Sequence, residues 1–187
     1  MITFRAKYLS THTIQRLNKN DDYDNVSAAF VQLSPHNKHD LRTIQNVQGL
    51  WGGSNSYALS IAQSATREAN EIPDDRNKYY AITRQKSKYE KLNPYEILGL
   101  AKVTQRADAK HEIDYLQVEP TCEAFSFIRE YKNLGTAMLN GIKKSAKGLD
   151  IILHSVPGAI NFYLKNGFEF TENHWELIYH AAKRKHL

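Results

Sequence analysis

Apolar side chains alternate at Val26, Ala28 and Phe30, a spacing of two that predicts a first strand over 26–33. The polar stretch 18–25 before it reads as a loop or turn. Ile2, Phe4 and Ala6 alternate as a short extra strand would, and the rest of 2–17 carries no clear period. The period then changes. Residues 40–50 and 56–69 predict two helices; in the second, Ala58, Ile61, Ala62, Ala65 and Ala69 share one face. Ser54 or Asn55 is the expected N-cap of that second helix. A turn at Pro73-Asp74-Asp75 leads to strands at 79–83, 97–103 and 111–118, the last ended by Pro120. The lysine-rich 87–93 is expected to join the first two of these as a hairpin loop. Leu134, Ala137, Met138, Gly141, Ile142 and Ser145 recur every third or fourth residue, which predicts a helix over 134–146. Lys143, Lys144 and Lys147 lie near its C-terminal end, where cations are favoured, and Gly148 stops it. A strand at 150–154, a short helix at 157–165 with Pro157 at its start and Gly167 beyond its end, and strands at 168–170 and 175–179 close the chain.

The order is strand, two helices, three strands, helix, strand, helix, strands. It predicts an α/β (α+β) fold in one domain over 1–187, with residues 1–25 peripheral to it. A chain of 187 residues suffices for one well-buried core. Its 41% hydrophobic and 24% charged content is that of an ordinary globular protein. No apolar run approaches the roughly 20 residues that cross a bilayer, and no signal peptide is evident, so no membrane partner is expected. One cysteine, Cys122, cannot pair within the chain, and a cytoplasmic location is the expectation. The net charge of +5 favours anionic ligands, a nucleotide-like cofactor or RNA, although a basic solvated surface explains it as well.

The candidate chemistry lies where the strand at 111–118 runs through a loop into the helix at 134. A helix N-terminus presents free backbone N–H groups that suit a phosphate or diphosphate. Arg129 and Lys132 add positive charge at that mouth, and Gly135 lets the backbone come close to a ligand. On these residues alone, an ordinary strand–loop–helix connection with surface cations is an equal reading.

Three segments resemble the GNAT acetyltransferases. His111 to Pro120, with Leu116, Val118 and Pro120 at its end, looks like the family's fourth strand. Arg129 to Leu139 resembles its acetyl-CoA diphosphate loop and helix. Ala159-Ile160-Asn161-Phe162-Tyr163-Leu164-Lys165-Asn166-Gly167-Phe168 is the most specific match. The resemblance spans about 79–170. It implies a mixed sheet of about six to seven strands flanked by helices and splayed between the fourth and fifth strands. It also implies acetyl-CoA as co-substrate, no metal, and direct attack of a primary amine on the thioester. Leu116, Gln117, Val118, Arg129, Lys132, Asn133, Leu134, Gly135, Thr136 and Asn161 would then hold the cofactor. Glu112 would take the amine's proton, with Asp114 in reserve, and Tyr163 would protonate the departing thiolate. A bulge is implied near Val118, opening the sheet for the pantetheine arm, with a backbone N–H there facing the oxyanion.

The chain departs from the family pattern at Glu130, at Asn133 in place of a glycine, and at Val156 in place of an asparagine. Asn tolerates a positive φ better than most residues, which keeps the turn available. A second reading keeps the fold as an acyl-CoA-binding or regulatory module with weak catalysis. A third directs the enzyme to aminoacyl-tRNA; nucleic acid stays an open but less favoured partner, as does a homodimer. His36 and His39 have no companions for a metal site. Cys122 has no partner by spacing for a nucleophile. Trp51 either packs or lines an acceptor pocket.

Overall fold

The computed structural model describes residues 6–52, 56–71, 73–123, 129–173 and 175–181. Nine described strands form one mixed sheet. They are β1 (Lys7–Leu17), β2 (Tyr23–Leu33), β3 (Asn77–Thr83), β4 (Ile97–Gln105), β5 (His111–Val118), β6 (Tyr131–Lys132), β7 (Ile151–His154), β8 (Glu169–Phe170) and β9 (Glu176–Tyr179). Their order across the sheet is β6-β1-β2-β3-β4-β5-β7-β9-β8. Every pairing is antiparallel except β5 with β7. Four α-helices among the described residues flank it: α1 (Lys38–Trp51), α2 (Tyr57–Ala69), α3 (Leu134–Ser145) and α4 (Ile160–Lys165). None of the described helices is long and apolar enough to cross a membrane.

The sheet exceeds the expected six to seven strands because of β1 and the short β6. Residues 7–17, unassigned from their pattern, form a strand of eleven residues in which only Ser10 and Ile14 are buried. Its alternation is therefore almost invisible in hydrophobicity: β1 lies near the sheet's edge and is held by the ladder to β2. The possible strand at Ile2 and Phe4 falls outside the described residues. So do Ser54 and Asn55; the cap of α2 is Ser56, whose hydroxyl accepts from the Leu59 N–H at 3.2 Å.

Two apolar cores lie on opposite faces of the sheet. One joins α3 to β1–β5, β7 and β9 through Ile14, Phe30, Val103, Ile113, Met138, Ile142 and Leu153, with α4 packed on it through Phe162, Tyr163 and Leu164. The other joins α1 and α2 to β2–β5 through Val31, Ile44, Val47, Ile61, Tyr79 and Leu100. The face of the sheet that a residue meets thus decides which side of any site it serves.

Asp40 is a carboxylate buried at 1% exposure in the first turn of α1, accepting from the Ser34 N–H at 2.9 Å and from the Ala6 N–H. Burial pushes its pKa up to about 6, against the lowering effect of those two donors. A raised folded-state pKa favours the neutral form. The stability it contributes is therefore full below the ordinary carboxylate range and lost as pH climbs through 6. Asp40→Asn should remove that dependence: the stability of the variant relative to wild type, read by urea denaturation, should rise by about 2–3 kcal/mol between pH 4 and pH 7. A difference that stays constant over this range would show that Asp40 titrates normally.

Candidate functional site

β5 pairs with β7 only at His111–Ile151, Glu112–Ile152 and Ile113–Leu153. Beyond that β7 stops at His154 while β5 continues to Val118, so the sheet parts between them. The parting starts at a bulge. Lys102 faces Tyr115 and Val103 faces Ile113 across the β4–β5 ladder, which leaves Asp114 as the extra residue. The bulge implied near Val118 is thus at Asp114, deeper in the strand, and Val118 is regularly paired with Gly99. After the bulge Leu116 and Val118 pack toward α3, and Tyr115 toward α2. On the β7 side, 114–118 has no neighbouring strand among the described residues.

The N-terminus of α3 borders this opening. Asn133 adopts φ 66° and ψ 13°, the left-handed turn expected of an asparagine standing in for glycine. Nothing among the described residues accepts from the N–H groups of Leu134, Gly135 and Thr136. The Leu134 side chain is core, so only its backbone is available, whereas Thr136 is half-buried. Gly135 has a packing reason besides the one its sequence suggested. A Cβ there would stand 2.8 Å from Cζ of Phe162, so the missing side chain seats α4 against the first turn of α3. Asn161 lies exposed on α4.

The run leading into α3 is tied to the β1–β2 hairpin. Tyr131 and Lys132 pair with Arg16 and Gln15 as β6, and the Leu17 N–H donates to the Glu130 carbonyl at 2.8 Å. The Tyr23 hydroxyl donates to the Arg129 carbonyl at 2.7 Å. The Lys132 ammonium sits 3.4 Å above the centre of the Tyr23 ring, a cation–π contact that holds it toward the hairpin. Glu130 lies 3.5 Å from Arg16 and 3.8 Å from Arg84, which turns its charge away from the helix start.

Tyr163 packs on the same core as Leu116 and Val118. Its ring stands edge-on to Phe162 and Phe168, at 5.0 and 5.7 Å between centres. Burial, with the Tyr57 phenol nearby, pushes its pKa up to about 12. Tyr57 is itself exposed at the start of α2, 5.9 Å from the ring of Tyr115. Gln117 serves a role missed in the sequence: its side-chain carbonyl accepts from the Ala58 N–H at 2.8 Å, fastening the parted end of β5 to α2.

The carboxylates of β5 are both engaged. Asp114 accepts from the Thr104 hydroxyl at 2.6 Å and stands 3.3 Å from the Lys102 ammonium. Glu112 lies 3.4 Å from Arg106 and 3.8 Å from the His154 ring. Cys122 is buried; its thiol donates to Glu119 at 3.1 Å, and burial raises its pKa to about 11, which leaves no reactive thiolate. No cluster of metal-ligating side chains occurs among the described residues. A cleft of about 910 Å³ beside the hairpin is lined by Arg16, Arg84, Lys86 and Tyr89. Its arginines are already paired with Glu96 and Glu130.

No family sequence model matches the chain, and no curated protein matches it in sequence. Solved structures do match it. One is a protein assigned to the GNAT family of acetyltransferases from Desulfovibrio desulfuricans, at 13% identity and TM-score 0.55, covering 81% of this chain and 96% of that one. A tyrosine-to-phenylalanine mutant of the toxin AtaT, bound to the C-terminus of the antitoxin AtaR and acetyl-CoA, matches at 15% identity and TM-score 0.54, covering 83% and 94%. The spermidine/spermine N-acetyltransferase SpeG from Vibrio cholerae matches at 16% and 0.51, covering 83% and 94%. With the parted β5–β7 pair and the open start of α3, these likenesses establish that the chain has the GNAT fold.

Proposed function

We propose that this protein transfers an acetyl group from acetyl-CoA to a primary amine by direct attack. The observation that carries the reading is the coincidence of three features at one place. The sheet parts from Asp114 onward, the N–H groups at the start of α3 have no acceptor among the described residues, and Tyr163 packs on the same core as Leu116 and Val118 beside the gap. The gap suits a pantetheine arm running beside Leu116, Gln117 and Val118. The backbone of Asn133, Leu134, Gly135 and Thr136 suits the diphosphate. Asn161 and Arg129 are assigned to the same ligand, and Lys132 would have to leave the Tyr23 ring to join them. The acetyl-CoA in the AtaT structure supports this choice of co-substrate.

Chemically, the amine nitrogen adds to the thioester carbonyl and the carbonyl oxygen takes the negative charge. Backbone N–H groups along the unpaired edge of β5 are the donors suited to that oxygen. Collapse expels the CoA thiolate, and Tyr163 is suited to supply its proton. A phenol with a pKa near 12 stays protonated at every working pH, as that role requires.

Acetyl-CoA should raise the melting temperature of the protein by roughly 5–10 °C at a hundredfold excess over Kd. The same protein should release free CoA thiol with at least one member of an amine panel containing spermidine, a peptide with a free N-terminus and a lysine peptide blocked at its N-terminus. The absence of a melting shift at millimolar acetyl-CoA would overturn the co-substrate. A shift without thiol release from any amine would favour the non-catalytic acyl-CoA module.

A further inference from the structure

We propose that His154 accepts the amine's proton in the acyl transfer, in place of either carboxylate of β5; the assignment rests on the acetyltransferase reading above. His154 is the last residue of β7, at the point where β7 stops and β5 runs on. Its neighbour Leu153 points into the core beneath α3, so His154 faces the opposite side of the sheet. Tyr163 packs on the α3 side. Proton acceptor and proton donor therefore lie on opposite faces of the parting, one on each side of a thioester lodged in it. An amine arriving from the α2 face would meet His154 first.

The surroundings of the ring fit that task. It is 54% exposed, so an amine can reach it. The charged groups facing it are Glu112 from β5, with Arg106 behind that carboxylate, and Glu176 from β9. Nε2 lies 3.8 Å from Glu112 and 3.9 Å from Glu176, so both carboxylates face the ring and both are too far for a hydrogen bond that would lock it. Glu112 is thereby a positioning residue: its charge is shared with Arg106 and steadies the ring. Asp114, held by Thr104 and Lys102, serves the bulge. Imidazole is the side chain suited to exchanging protons near neutral pH, and both carboxylates of β5 already have ionic partners.

The protons and electrons balance as follows. The alkylammonium gives one proton to the neutral His154 ring, which later sheds it to solvent. The freed lone pair forms the C–N bond while the carbonyl π electrons move onto oxygen. The carbonyl re-forms, the C–S bond breaks, and the thiolate takes the Tyr163 proton. The remaining extra N–H proton passes through solvent to restore the phenol. The net products are the amide, free CoA thiol and one proton.

The test compares His154→Gln, Glu112→Gln and wild type across pH, using the most active amine of the panel and, separately, hydroxylamine, which is neutral at pH 7 and needs no base. His154→Gln is expected to lower kcat/KM for the alkylamine about a hundredfold at pH 7 and to abolish the ascending limb of the pH profile. Its rate with hydroxylamine and its melting shift with acetyl-CoA should remain within about twofold of wild type. Glu112→Gln should lower the rate without removing the limb. Retention of the limb in His154→Gln, or its loss in Glu112→Gln alone, overturns the assignment while leaving the acetyltransferase reading intact. A wild-type protein that binds acetyl-CoA but acetylates no amine overturns both.

Discussion

A single methyl group added at Gly141 is expected to destabilise the protein by about 2–3 kcal/mol, although alanine is the better helix former by about 1 kcal/mol. Gly141 lies within α3, and a Cβ there would stand 2.5 Å from both Cγ and Cδ2 of Phe30. The ring cannot withdraw. Phe30 is wholly buried, stacked on Tyr80 at 5.0 Å and met edge-on by His12 at 5.9 Å. The helix must lift from the sheet or the aromatic stack must shear, and either move disturbs the start of α3. Urea denaturation of Gly141→Ala measures the cost. In a Phe30→Leu background the same substitution should cost about 1–2 kcal/mol less, because the obstructing ring is gone. A Gly141→Ala protein as stable as wild type would mean that the contact between α3 and β2 is looser than these distances show.

The second large effect is on turnover. Tyr163→Phe is expected to lower kcat by at least about a hundredfold while the melting shift produced by acetyl-CoA stays as in wild type. The ring contacts with Phe162 and Phe168 survive the change, and no hydrogen bond to the hydroxyl occurs among the described residues, so the fold loses nothing it uses. What disappears is the proton for the thiolate. Because burial pushes the phenol's pKa up to about 12, the wild-type rate should show no descending limb below about pH 10 from this group. Steady-state kinetics over pH 6 to 10 decide the matter. A Tyr163→Phe enzyme with full turnover would transfer the role to solvent or to Tyr57.

Much of this architecture is legible in the sequence. The three long helices, the short α4 and strands β2 to β5 follow from period and punctuation, and Asn133 announces its left-handed turn by being the residue most able to replace glycine. β1 was not legible because its ladder holds residues that the core does not, and hydrophobic alternation reports only burial. β6 exists solely through a partner more than a hundred residues away, which no local pattern encodes. The site was half legible. The segments around Val118, Gly135 and Tyr163 do converge. The bulge lies four residues earlier than the resemblance implies, and the room that Gly135 makes for Phe162 is not visible in the sequence. Spacing could not bring His154 forward, since only the parallel pairing of β5 with β7 places it beside Glu112, 42 residues away in sequence.

The attachment of 129–132 to the hairpin has a mechanical consequence. Two ladder positions, two long-range hydrogen bonds to carbonyls and a lysine seated on a tyrosine clamp that run before any ligand arrives. The donors at the head of α3 are consequently preset, and an anion landing there has no loop to immobilise. The hairpin acts as a splint: a strain that bends β1 would be transmitted to those donors as a loss of aim.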